Sequence, residues 1–130
     1  MKFKETKAIY LQIADRLCDE IVQGVYGPEE RVPSVREYAA LLEVNINTLM
    51  RSYEQLQMQG IIYTKRGLGY FVSPEAEETI RRLRREQFLG EDLPECFRMA
   101  RMLGISADEI KQRYLEWEAL QQSNESISKN

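Results

Sequence analysis

Between Ser34 and Val72 the spacing of the apolar residues changes once, and that change limits what the chain can fold into. Up to Gly60 the intervals are helical. Val35, Tyr38, Ala39 and Leu42 form one short stripe, and a second runs through Leu49, Tyr53 and Leu56 to about Met58. Spacings of three and four put such residues on one face of a helix. Beyond Gly60 the pattern becomes strand-like. Ile61, Ile62, Tyr63 and Thr64, then Tyr70, Phe71 and Val72, are mostly β-branched or aromatic. The intervening Lys65-Arg66-Gly67-Leu68-Gly69 predicts a hairpin with a basic, glycine-bearing tip. Two short helices joined by about four residues make a helix-turn-helix. A hairpin directly after it is a wing.

The local punctuation agrees. Ser34 reads as an N-cap, with Glu37 completing a capping box. Glu43-Val44 ends that helix, and Asn45 or Asn47 caps the next. Upstream, Ile9, Ile13, Leu17 and Ile21 recur every four residues and predict a helix from Ile9 to Val22, ended by Gly24. Gly27-Pro28 marks a turn, and Arg31-Val32 a short extended piece. Downstream, Ser73-Pro74 is expected to open a helix to about Phe88 carrying Ile80, Leu83 and Gln87 on one side, with Gly90 closing it. Leu93, Phe97, Ala100 and Leu103 predict a further helix, ending at Gly104. A second capping box, Ser106 with Glu109, opens a last one bearing Ile110, Tyr114, Trp117 and Leu120. The fold class expected is mainly α with a small β-hairpin wing. Residues 1–73 form a winged helix-turn-helix, 74–120 a short α-helical dimerisation region, and the Ser/Asn/Gln/Lys-rich 121–130 a disordered tail.

Composition closes off other classes. The chain has no histidine, so it lacks the commonest general base and zinc ligand. It has neither a CxxC pair nor a glycine-rich phosphate loop. No enzyme, metal site or cofactor is expected. Cys18 and Cys96 each lie in an apolar-periodic segment and read as reduced, buried thiols, a disulfide or redox pair being the alternative. No apolar run approaches the ~18–20 residues of a membrane helix. The start, MKFKETKAIY, has no apolar signal core, so a cytoplasmic place without membrane contact is expected. The net charge of -3 runs against nucleic-acid binding, but residues 1–73 balance nine cations against nine anions. Any binding patch must therefore come from where those charges sit.

The stretch PSVREYAALLEVNINTLMRSYEQLQMQGIIYTKRGLGYFV, Pro33 to Val72, closely resembles the winged helix-turn-helix of GntR-family transcription regulators. The preceding AIYLQIADRLCDEIVQGVY is similar to that family's first helix. PSxRE alone is a weak signal. With VNxNT, R-x-Y-x-x-L, G-x-I and GxGYFV following in order it is specific. Only 57 residues follow Ser73, which resembles the YtrA-like branch with its small helical dimerisation tail, as does the spelling VNINT. The chain departs from the wider family in having Glu29-Glu30 where many members have a glycine. It also has Ile46 and Met50 where arginine is frequent.

The resemblance implies a DNA-binding regulator, a repressor acting as a homodimer on a palindromic double-stranded operator. An unidentified small-molecule effector is an open partner. The site residues it implies are Arg36, Asn45, Asn47, Thr48, Arg51, Lys65, Arg66, Gly67 and Gly69. Arg36 lies in the first turn of the second helix, within reach of a phosphate or a guanine edge; pairing with a nearby Glu is its other role. Asn45, Asn47 and Thr48 open the third helix, the end that enters the major groove in such folds; Asn47 reads adenine or holds a phosphate, and helix capping is its other role, compatible with either. Arg51 shares a face with Asn47 and Thr48. Lys65 and Arg66 are phosphate contacts or solvated charges, while Gly67 and Gly69 permit positive φ near the minor groove. Lys2, Lys4 and Lys7 offer phosphate attraction or only a basic start. Tyr53 belongs to the apolar stripe, though its hydroxyl has phosphate as an alternative partner. Arg81, Arg82, Arg84 and Arg85 read as a solvated face paired with nearby glutamates. Leu93, Phe97, Ile110, Tyr114 and Trp117 are the dimerisation residues, because so short a helical tail buries little by itself. The alternative function is a winged-helix protein-interaction module with only weak, non-specific DNA binding.

Overall fold

The computed structural model describes residues 7–128, so Lys2 and Lys4 lie outside the described residues. The chain divides into two compact units at the Arg85–Glu86 peptide.

In the first unit, α1 (Ile9–Val22) buries Ile13, Ala14, Leu17, Cys18 and Ile21, the face marked by its four-residue repeat. Its end is closed by the Val25 N–H donating to the Glu20 carbonyl at 2.9 Å. α2 (Val35–Leu42) opens on the expected reciprocal box. The Ser34 N–H donates to the Glu37 carboxylate at 2.9 Å, and the Ser34 hydroxyl accepts from the Glu37 N–H at 3.1 Å. Glu43 turns left-handed, φ 56°, to end it. Glu29 adopts φ 64° as well, so a left-handed turn is made here by a glutamate rather than a glycine. α3 (Ile46–Met58) is capped by Asn45, whose side chain accepts from the Asn47 N–H at 2.7 Å.

β1 (Ile62–Lys65) and β2 (Gly69–Val72) form an antiparallel hairpin in which Ile62 faces Val72 and Lys65 faces Gly69. The segment before α2 runs along the other edge of β2. There the Val32 N–H donates to the Tyr70 carbonyl at 3.0 Å and the Val72 N–H to the Glu30 carbonyl at 2.9 Å. The wing is thus tied to the entrance of α2. The core between these elements holds Leu17, Tyr38, Leu49, Tyr53, Leu56, Ile61 and Val72. Ser52, the one wholly buried polar side chain of α3, donates its hydroxyl to the Tyr10 carbonyl at 2.7 Å and so joins α3 to α1. The expected mainly helical architecture with a hairpin wing is borne out.

α4 (Ala76–Gln87) corrects two expectations. It begins at Ala76, after a turn in which the Ala76 N–H donates to the Ser73 carbonyl, rather than at Ser73-Pro74. Its Ala76 and Ile80 are buried in the first unit's core. That burial is why the boundary falls at Arg85 and not at Ser73.

In the second unit, Gly90 does not close a helix. Phe88–Asp92 forms a π-helical turn in which the Leu93 N–H reaches back to the Phe88 carbonyl. It leads directly into α5 (Leu93–Met102). Glycine within a helix is unfavourable by only about 1 kcal/mol, and Pro94 supplies no N–H to the Gly90 carbonyl. α5 ends near Gly104 as expected. α6 (Ala107–Ser128) runs past Leu120 through most of the stretch expected to be disordered, since a polar run without Gly or Pro can extend a helix already begun. At its start the Ser106 hydroxyl accepts from the Glu109 N–H at 3.1 Å, while the Glu109 carboxylate pairs with Arg113. Leu93, Phe97, Ala100, Ile105, Ile110 and Tyr114 line an apolar groove of about 640 Å³ within this unit. Cys18 is buried but Cys96 is exposed, against expectation, and neither is in a disulfide. No helix among the described residues is long and apolar enough to cross a membrane.

Candidate nucleic-acid interface

α3 buries Leu49, Ser52, Tyr53 and Leu56. At about 100° per residue this stripe faces inward and turns Asn47, Met50, Arg51 and Glu54 outward. Asn47 and Arg51 are exposed, and Thr48 is half-buried at the edge of that surface. Asn45 is occupied with capping, which leaves the Asn47 side chain free of that task. The Arg51 guanidinium lies over the Tyr10 ring, 3.9 Å from its centroid. This cation–π contact holds a charged fork in place without neutralising it. Tyr10 stood beside the apolar repeat of α1 in the sequence, but no local signal joins it to a residue forty positions on.

A second group forms where α2 and the wing meet. Arg36 is exposed in the first turn of α2. Its neighbour Glu37 is held below the ordinary carboxylate range, first by the Ser34 backbone N–H and then by the Ser34 hydroxyl. Arg31 links this turn to the wing. It approaches Glu37 at 4.0 Å, and its Nε lies 3.0 Å from where a Cβ on Gly69 would stand. Sequence reasoning placed Arg31 in an extended piece and did not single it out; it stands three residues before the Ser34 cap. In the wing, the Lys65 ammonium lies 4.5 Å from the Phe71 ring centroid. Arg66 and Gly67 occupy the exposed tip, and Gly67 and Gly69 have φ of +77° and +114°. Both glycines thus hold backbone conformations that L side chains rarely adopt.

The charges differ in their pairing. Among the described residues, Arg36, Arg51, Lys65 and Arg66 have no carboxylate within ion-pair distance. Lys7 pairs with Asp15, Arg81 with Glu77 at 2.6 Å, Arg84 with Asp19 at 2.8 Å, Arg98 with Glu95 and Arg113 with Glu109 at 3.4 Å. Arg81 thus makes the expected pair within its helix, while Arg84 reaches across to α1. Tyr53 belongs wholly to the core, its hydroxyl donating to the Pro33 carbonyl at 2.6 Å.

Residues 9–72 match the family model described as "Bacterial regulatory proteins, gntR family". The chain is 54% identical to a putative transcriptional regulator of the GntR family from Bacteroides thetaiotaomicron, with a TM-score of 0.77, over 88% of this chain and 99% of that one. Two relatives from Bacillus subtilis match over shorter spans. The uncharacterized HTH-type transcriptional regulator YhcF is 42% identical over 76 residues, 58% of this chain and 63% of its own length. The HTH-type transcriptional repressor YtrA is 35% identical over 77 residues, 59% of each. The chain thus spans less than two thirds of these curated relatives.

Proposed function

The chain belongs to the GntR family of bacterial regulatory proteins, DNA-binding transcriptional regulators, and we propose that it acts as a homodimeric repressor on a palindromic operator. α3 enters the major groove with Asn47, Thr48 and Arg51 toward base edges. Arg36, Lys65 and Arg66 engage phosphates, and the Gly67–Gly69 tip approaches the minor groove. The observation that carries this reading is the pairing state of the cations. Four on the helix-turn-helix and wing have no acidic partner among the described residues, although residues 1–73 as a whole balance nine cations against nine anions. Arg51 is held by an aromatic ring, which preserves its full charge for a phosphate or a guanine edge. Repression is supported by the likeness to YtrA, a named repressor. Dimerisation is supported by the apolar groove and the exposed aromatics of the second unit.

The test is fluorescence anisotropy of the full chain with duplex from upstream of its own gene, against a scrambled duplex, at several salt concentrations. Affinity is expected to favour the upstream duplex and to fall steeply with salt. Arg36→Ala and Arg51→Ala are each expected to weaken binding by about 1–3 kcal/mol. Unchanged affinity in both variants, with folding intact, would remove the site assignment. Equally weak binding to both duplexes would favour a protein-interaction module.

A further inference from the structure

Near the start of α3 two exposed side chains are apolar. Ile46 is 40% and Met50 42% exposed, and neither belongs to the core. A single exposed apolar residue is ordinary. These two lie four positions apart, and so one above the other on the helix. Asn47 and Arg51, each one position further on, form a polar row alongside. The first two turns of α3 therefore present an apolar row next to a polar one, at the end of the helix that contacts base edges when such a motif docks.

In the major groove every base pair offers hydrogen-bonding atoms, but an apolar group, the C5-methyl, stands on thymine alone. Asn47 and Arg51 match the hydrogen-bonding atoms. A phosphate or a polar base edge gains nothing from an isoleucine or a methionine and would be partly desolvated by either. A thymine methyl loses water-exposed area against both. Methionine, unbranched and polarizable, follows an irregular surface well.

We propose that Ile46 and Met50 read thymine methyl groups, and so set the base preference of this protein at the positions they cover. The inference rests on the seating of α3 in the major groove proposed above.

The experiment begins with a random duplex library from which the full chain selects its preferred DNA. In the selected duplex each thymine is replaced in turn by deoxyuridine, which removes only the methyl, and affinity is measured for the wild type, Ile46→Ala and Met50→Ala. Wild-type binding is expected to weaken about three- to five-fold at each contacted thymine, the worth of one buried methyl. That sensitivity should vanish at one position of each half-site in Met50→Ala and at a neighbouring one in Ile46→Ala. Both residues are exposed, so the variants should keep the wild-type circular dichroism; the wild-type deoxyuridine series can overturn the inference without them. If no deoxyuridine changes wild-type affinity, or both variants keep the full sensitivity, the inference is overturned. If at the same time Arg51→Ala weakens binding to the selected duplex, the seating of α3 stands without it. Failure to enrich any duplex would overturn both.

Discussion

Tyr53 shows how one residue's role is decided by its surroundings and not by its spacing. Its interval with Leu49 and Leu56 favours the core, with a phosphate as an alternative partner for its hydroxyl. The Pro33 carbonyl at 2.6 Å settles the matter, because the ring is wholly enclosed and packs edge-on against Tyr70 with 4.9 Å between centroids. Tyr38 donates in the same way to Glu20. Burial raises the pKa of both hydroxyls well above the ordinary 10, and the bond to Glu20 raises that of Tyr38 further. The unfolded chain releases these protons near pH 10 while the folded one retains them. Their contribution to stability is therefore complete below pH 10 and lost as pH rises beyond it. Urea midpoints at pH 8 and pH 11 should fall at the higher pH, and Tyr53→Phe should flatten that fall while costing about 1 kcal/mol at pH 8. Gly69 is a second such residue. Its glycine was legible as a turn; its closeness to Arg31 was not, since that contact spans the α2 entrance and the wing. Gly69→Ala, forced to hold φ +114° against Arg31, should lose about 1–2 kcal/mol in chemical denaturation and weaken DNA binding through the displaced wing.

The elements of the first unit were legible because their signals are local and mutually consistent. The four-residue repeat marks α1 over its whole length, and the Ser34–Glu37 box fixes the start of α2 within one turn. Ser34→Ala should therefore destabilise the unit by about 1 kcal/mol at pH 7 by thermal or urea unfolding. The Glu37 half of the box acts through a carboxylate held below its ordinary 4.5, so its stabilisation is present above that pH and lost as pH falls through the lowered value. Glu37→Gln should accordingly cost stability at pH 7 and little at pH 3; a cost independent of pH would mean that the Glu37 charge takes no part. Misread elements lie where the signal is either weak or non-local. Gly90 looks like a stop, yet a π-helical turn carries the backbone past it into α5. The stretch from Gln121 has no apolar stripe, so periodicity is silent there although α6 continues to Ser128. The join between α4 and the first unit is likewise invisible in the sequence, because it depends on Ala76 and Ile80 meeting residues of the core far away in the chain.

At the scale of the molecule the two units solve the burial problem differently. The first closes a core around Tyr38, Leu49 and Tyr53. In the second, Ala100 is the one apolar residue fully buried among those described, and Phe97, Tyr114 and Trp117 are about half exposed, at 49%, 55% and 57%. A helical unit of this size gains little from packing on itself, and so much exposed aromatic surface is characteristic of an interaction site. An isologous contact between two copies would cover the groove with the same residues from each side. Such a contact would also join two recognition helices in one molecule, as binding to both half-sites of a palindrome requires. Phe97→Asp places an unpaired charge at the centre of the proposed contact and, being on an exposed site, should leave the first unit folded. Sedimentation equilibrium should then show the wild type at twice the mass of the chain and Phe97→Asp at once that mass. The variant should lose affinity for the full palindrome far more than for a half-site, since only the palindrome rewards two linked binding events. Wild type sedimenting as a single chain at micromolar concentration, with the palindrome bound no more tightly than a half-site, would refute the dimer and leave the groove open to some other occupant.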